Sequence, residues 1–244
     1  EVLGIIGVSG NGQAVLAQLL SGTAQRTSGD ILLFGEPVDT LSVADVVSAG
    51  IGRIPEDRNR EGAIGEMAIW ENAVLERLSR FSRHGLVDRK AGMAFAQRII
   101  DAFGMTFAQS IINQFDVRGG TPASRTRLLS GGNMQKLILG RNLSRRPRIL
   151  IAAQPARGLD EGAVAAVHER ILEARRQGAA VLLISEDLDE VMALADRIQA
   201  IVGGRLSPPI SSDEASARRL GLMMAGEWPD GEAATRQEEV NHAV

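Results

Sequence analysis

Two periods of hydrophobicity alternate along the chain. Short apolar runs at Val2–Val8, Arg148–Ala152, Ala180–Ser185 and Arg197–Val202 predict buried strands, the last ending in a turn at Gly203-Gly204. Gly50–Pro55 reads as a strand and its exit, and Ser28–Gly35 as a strand running into a turn. Helices are predicted over Gln13–Leu20, Val43–Ser48, Asp187–Ala195 and Glu161–Arg176, where Ala163, Val164, Val167 and Ile171 form one stripe. From about Asn59 to Ser144 the helical period takes over. Ala68–Leu78 and Arg89–Phe103 carry apolar residues three and four apart. Phe115–Arg127, with Gly119-Gly120-Thr121-Pro122, predicts a loop before a further helix. Arg219–Gly226 predicts a short helix. Pro229–Val244, with four acidic residues, one Arg and little apolar content, predicts a disordered tail. Strands alternating with helices imply a mainly parallel α/β sheet carrying a helical lobe.

At 244 residues the chain can bury a substantial core. A net charge of −3 argues against a nucleic-acid partner held by phosphate neutralisation. The absence of Cys excludes disulfides, thiolate metal sites and Cys nucleophiles, and fits a cytoplasmic protein. No apolar run approaches the roughly 20 residues of a spanning helix, and no signal-peptide pattern is present. Glu1 stands directly before a strand, so the chain reads as a piece of something longer.

Chemistry concentrates at two glycine-bearing helix starts. Leu129-Ser130-Gly131-Gly132-Asn133-Met134-Gln135-Lys136 opens a helix with Ser130 as N-cap and Met134, Leu137, Ile138 and Leu139 on its apolar face. A hydroxyl and glycine amides at a helix start suit an anion. Gly7-Val8-Ser9-Gly10-Asn11-Gly12 lies between a strand and a helix, the context of a phosphate-binding loop, and is followed by Gln13-Ala14. A dinucleotide fingerprint fits worse, because no third Gly stands at position 15. Alone, the loop fits an anion site and a plain strand–helix turn equally well.

The order of these stretches, with Ala152-Ala153-Gln154-Pro155 and Gly158-Leu159-Asp160 after them, resembles the ATP-binding cassette (ABC) ATPases from about Gly4 to Gly226. The resemblance implies a P-loop NTPase-like α/β cassette with a helical signature lobe. It also makes these stretches phosphate loop, signature, Walker B strand and D-loop. Gln13 and Ala14 then stand where Lys and a hydroxyl residue are usual. Ala153 replaces the Mg²⁺-associated Asp, and Gln154 the Glu that polarises the attacking water. Gln cannot take a proton, and general-base assistance is typically worth about 10²–10⁴-fold. Glu56 occupies the Q-loop position in Pro55-Glu56-Asp57-Arg58. Glu186 occupies the switch position, where an acidic group would repel a γ-phosphate; Glu186 and Asp187 also suit a helix N-terminus.

Closer still is the similarity to the C-terminal cassette of double-cassette importer ATPases for simple sugars and nucleosides. It implies a damaged phosphate-loop half-site beside an intact signature half-site (Ser130, Gly131, Gly132, Asn133, Gln135) and D-loop (Gly158, Leu159, Asp160). These would be offered to a second cassette, N-terminal in the same full-length chain. ATP would bind weakly here, with Mg²⁺ only at the partner's site. Permease subunits and, indirectly, a substrate-binding protein are the implied partners, at the cytoplasmic face of the membrane. The expected division is 1–58 and 145–210 for the ATPase core, 59–144 for the lobe, 211–228 for a short helical tail and 229–244 for the disordered end. The family's first strands and adenine-stacking aromatic residue are missing, and the chain has no Tyr. A soluble ABC-type ATPase not tied to transport, or a non-catalytic nucleotide sensor or scaffold, are the other readings. His84, His168 and His242 are scattered, with no metal-ligand spacing; His168 is expected to be solvated. Arg53, Arg58 and Arg60, near the Q-loop position, read as facing a transmembrane partner or, in preference, as a solvated charged loop.

Overall fold

The structure is a computed structural model and describes residues 1–105 and 121–228. The predicted tail at 229–244, His242 and the 115–120 part of the predicted loop lie outside the described residues. The elements in order are β1 (Val2–Ile6), α1 (Gln13–Leu20), β2 (Leu32–Leu33), β3 (Glu36–Pro37), α2 (Val43–Ser48), β4 (Ile51–Ile54), α3 (Ile69–Val74), β5 (Ser82–Arg83), β6 (Leu86–Val87) and α4 (Arg89–Ala102). They continue with α5 (Gly131–Leu143), β7 (Ile149–Ala153), α6 (Glu161–Arg176), β8 (Ala180–Ser185), α7 (Leu188–Leu194), β9 (Arg197–Val202), β10 (Arg205–Leu206), β11 (Ile210–Ser211) and α8 (Ala217–Met224). Among the described residues no helix is long and apolar enough to cross a membrane.

The main sheet runs β10–β9–β1–β8–β7–β4, with β11 also on β9. Its centre is parallel: Ile5 pairs with Ile184, Ala153 with Ile184 and Ile54 with Ala152. Because helices cover both faces, strand residues of both parities are apolar, which is why these strands appear in the sequence as unbroken runs. One face packs Ile5, Ala153, Ile184 and Ile201 against Ala17 of α1. The other packs Ile54, Leu150, Ala152 and Leu183 with Ile138 of α5 and Ile171 of α6. The lobe has its own core of Ile69, Val74, Phe95, Ile99 and Ile100. Helix α5 serves both: Leu137 enters the lobe core, while Met134, Ile138 and Leu139 enter the sheet core.

Two expectations are corrected. The Ser28–Gly35 strand shrinks to Leu32–Leu33, paired only with Glu36–Pro37 in a hairpin apart from the main sheet. The helix predicted to reach Leu78 ends at Val74 and tightens into a 3₁₀ stretch, Leu75–Phe81, broken at Arg77. In that stretch the Glu76 carboxylate meets both Arg141 (3.0 Å) and Arg145 (3.1 Å) of the C-terminal part of α5 and its exit. The lobe also contains the β5–β6 hairpin, closed by His84 and Gly85, both with positive φ.

Candidate functional site

Strands β1, β8, β7 and β4 lie side by side in parallel, so their carboxyl ends release four loops at one edge of the sheet. This is where α/β folds gather ligand chemistry. The loops carry Gly7–Gly12, Ser185-Glu186, Gln154-Pro155 and Pro55-Glu56. Ser9, Gly10, Gln13, Ala14, Ala153, Gln154, Glu56 and Glu186 line one cleft of about 60 Å³.

The glycine loop has closed on itself. Gln13 Nε2 donates to the Val8 carbonyl at 2.9 Å, and Asn11 Nδ2 and N donate to the same oxygen at 3.0 and 3.3 Å. Asn11 also fastens the loop to the β9–β10 turn: its Oδ1 accepts from Gly203 N and its carbonyl from Gly204 N, both at 2.9 Å. Gly12, at φ 115, caps α1 with no side-chain bond. The amides of Gly12, Gln13 and Ala14 have no acceptor among the described residues, so the helix start still presents donors to an anion. Gln13 is buried, however, and its Oε1 has no donor. An acceptor in that position is the wrong polarity for a phosphate.

Gln154 sits in left-handed backbone (φ 48), fixed by its N–H to Ile184 O at 2.7 Å, and its Oε1 faces Glu186 N at 3.4 Å. Behind Glu186, Ser185 Oγ donates to Glu190 Oε2 at 2.6 Å, and Asp187 caps α7 by accepting from the amides of Asp189 and Glu190. His168 is only partly exposed, not fully solvated. Its Nε2 lies 3.0 Å from Oε1 of the buried Glu190, because α6 packs beside the start of α7.

The Q-loop and D-loop positions meet. Glu56 is ion-paired to Arg157. Arg58 Nη1 donates to Arg157 O at 2.7 Å, and Nη2 lies 3.5 Å from Gly158 O. Arg53 is ion-paired to Glu61, so of the three arginines read as solvated only Arg60 is exposed. The contacts of Glu56 and Arg58 with the D-loop span about a hundred positions of the chain, and no local signal announces them. Leu159 packs on the sheet core, and Asp160 caps α6 through Ala163 N at 2.9 Å.

Ser130 caps α5, its Oγ accepting from Asn133 N at 3.3 Å, and Ser130 and Gly131 are exposed. Gly132 is half-buried. Asn133 and Gln135 face inward, and Gln135 Nε2 donates to Pro155 O at 2.6 Å, joining the signature helix to the turn after β7.

The residues do not fit a metal at this cleft. Ala14 and Ala153 offer no oxygen, and no set of three His, Asp or Glu converges among the described residues. The cleft's three carboxylates, Glu56, Glu61 and Glu186, outnumber its one cation, Arg53. The helix-start amides fit a phosphate; Gln13 and these carboxylates oppose one.

Known proteins resemble this chain in sequence and in fold. The guanosine import ATP-binding protein NupO of Bacillus subtilis is 39% identical over 93% of this chain and 42% of its own length. The glucose import ATP-binding protein TsgD13 of Haloferax volcanii is 38% identical over 93% of this chain and 40% of its own. The nucleoside import ATP-binding protein NupA of Lactococcus lactis is 34% identical over 93% and 43%. The chain therefore spans about two fifths of the length of these relatives. Its fold matches the ATP-binding cassette MJ0796, solved as a dimer with ADP and inorganic phosphate, with a TM-score of 0.68 at 18% identity, covering 87% of this chain and 85% of that one. A loop–helix start at the sheet edge, a capped Ser-Gly-Gly helix bridging sheet and lobe, and a match to the ABC transporter family over residues 1–157 lead to one conclusion: this chain is a cassette of the ABC transporter family.

Proposed function

We propose that the chain is a nucleotide-binding cassette of an importer ATPase for simple sugars or nucleosides, impaired at its own phosphate loop and supplying its signature to a partner cassette. One observation carries the reading: the two half-sites differ in kind. The phosphate loop spends Gln13 on its own Val8 carbonyl, and Ala14 and Ala153 leave no oxygen for Mg²⁺. The signature start keeps Ser130 and Gly131 exposed at a capped helix N-terminus. Relatives that import guanosine, glucose and nucleosides support the cargo class.

In this reading ATP binds weakly here, and Mg²⁺ acts at the partner's site. The core comprises 1–58 and 145–210, the lobe 59–144. The second cassette lies in the same full-length chain. Permease subunits receive the closure motion at the cytoplasmic face of the membrane, and a substrate-binding protein delivers cargo. Donors aimed at developing phosphate charge act chiefly in the transition state.

The test compares two substitutions in the full-length transporter. Ser130→Arg nearly abolishes ATPase and transport, because the added side chain keeps the cassettes apart. Gln13→Ala does much less, since that half-site already lacks its Lys. Equal damage from both, or an unaffected Ser130→Arg transporter, contradicts the proposal.

A further inference from the structure

Arg58, at the Q-loop exit, reaches across to the D-loop. Asp57 fixes its backbone by accepting from the amides of Asn59 and Arg60 at 3.0 and 3.1 Å. The guanidinium then extends to the carbonyls of Arg157 and Gly158. On its other side it lies against the first signature glycine: a Cβ on Gly131 would stand 2.8 Å from Nη2 and 3.4 Å from Cζ. Arg58 Nε is buried with no acceptor, an unmet donor that a plain surface arginine would turn to water. The same D-loop carries Arg157, whose side chain is paired back to Glu56 two residues before Arg58. The D-loop is therefore held from the Q-loop exit by its backbone and by a side chain.

We propose that Arg58 is a positioning residue that sets the D-loop backbone against the start of the signature helix, so that both present one fixed surface to the partner cassette. The proposal rests on the reading that this surface completes the partner's site. The chemistry explains the residue type. A guanidinium is a planar fork that can serve two adjacent carbonyls while lying flat on a glycine; an ammonium is a single point. A side chain at Gly131 would push the end of the Arg58 side chain aside. Transition-state donors lose effect with small misplacements, so loosening this clasp affects turnover more than nucleotide affinity, which belongs to the other cassette's phosphate loop.

The experiment uses the full-length transporter with its permease, carrying Arg58→Ala, Arg58→Lys or Ser130→Arg, with ATPase kcat and KM measured and the thermal midpoint as a folding control. Arg58→Ala lowers kcat about tenfold with KM for ATP changed by less than about twofold. Arg58→Lys fails to restore it, and hydrogen exchange at residues 157–160 rises in both. Should Arg58→Ala fold poorly, Arg58→Lys carries the test alone. Wild-type kcat in Arg58→Ala, or full activity in Arg58→Lys, overturns the proposal. An effect confined to KM also overturns it. Ser130→Arg separates the two levels. If it is inactive while Arg58→Ala is normal, only the positioning role fails. If Ser130→Arg is itself fully active, the partner-site reading fails.

Discussion

His168 Nε2 lies 3.0 Å from Oε1 of Glu190, joining α6, which starts just after Asp160, to α7, which starts just after Glu186-Asp187. Glu190 is 4% exposed and takes its other hydrogen bond from Ser185 Oγ. A carboxylate that deep in the protein depends on its partners.

Removing the imidazole leaves Glu190 Oε1 short of a donor. His168→Ala should destabilise the chain by about 1–3 kcal/mol in urea unfolding. A double-mutant cycle with Glu190→Gln should return a coupling of about 0.5–3 kcal/mol. Additive effects would mean the contact is incidental.

Arg141 is comparably buried, with 5% of its side chain exposed. Burial pulls its pKa below the usual guanidinium value, and Glu76 opposes that shift. Its Nη2 also donates to Gly62 O at 3.0 Å, tying α5 to the loop after β4. Glu76→Gln should cost about 3 kcal/mol, read from the denaturation midpoint, because a buried cation loses its counter-charge. Arg145, which shares Glu76, should loosen with it.

At the phosphate loop, Gln13→Lys removes the orphaned Oε1 and puts a cation in its place. Nucleotide affinity measured by calorimetry should rise about tenfold, equivalent to about 1.4 kcal/mol. No gain would mean that the carboxylates of Glu56 and Glu186 dominate the cleft.

Magnesium should matter little to whatever nucleotide binds here. Titrations with Mg²⁺ and with EDTA should give dissociation constants within about twofold, against the strong metal dependence expected when a carboxylate and a hydroxyl hold the ion. Tight, metal-dependent binding would contradict the roles assigned to Ala14 and Ala153.

What the sequence disclosed and what it concealed divide along physical lines. Helices Gln13–Leu20, Val43–Ser48 and Glu161–Arg176 have the predicted bounds, since caps and periodicity are local. The parallel strands were legible because both faces are buried. Ser130 could be read as a cap from its neighbours alone. His168 and Arg58 could not: whether a polar side chain meets water or a partner is decided by topology, and their partners are 22 and 99 positions away. The Glu76 contacts beyond the end of α3 are of the same kind, made with distant Arg141 and Arg145. The His84 turn escaped notice because a non-glycine residue there takes φ 51.

Asn11, stitched to the Gly203-Gly204 turn, has a consequence beyond geometry. A loop fastened by its own chain keeps its shape without a guest. A ligand stabilises a fold by mass action only as far as it prefers the folded form. That stabilisation depends on affinity and concentration, not on whether the loop is already ordered, so at the weak site proposed here swings in nucleotide level change the stability of this cassette little.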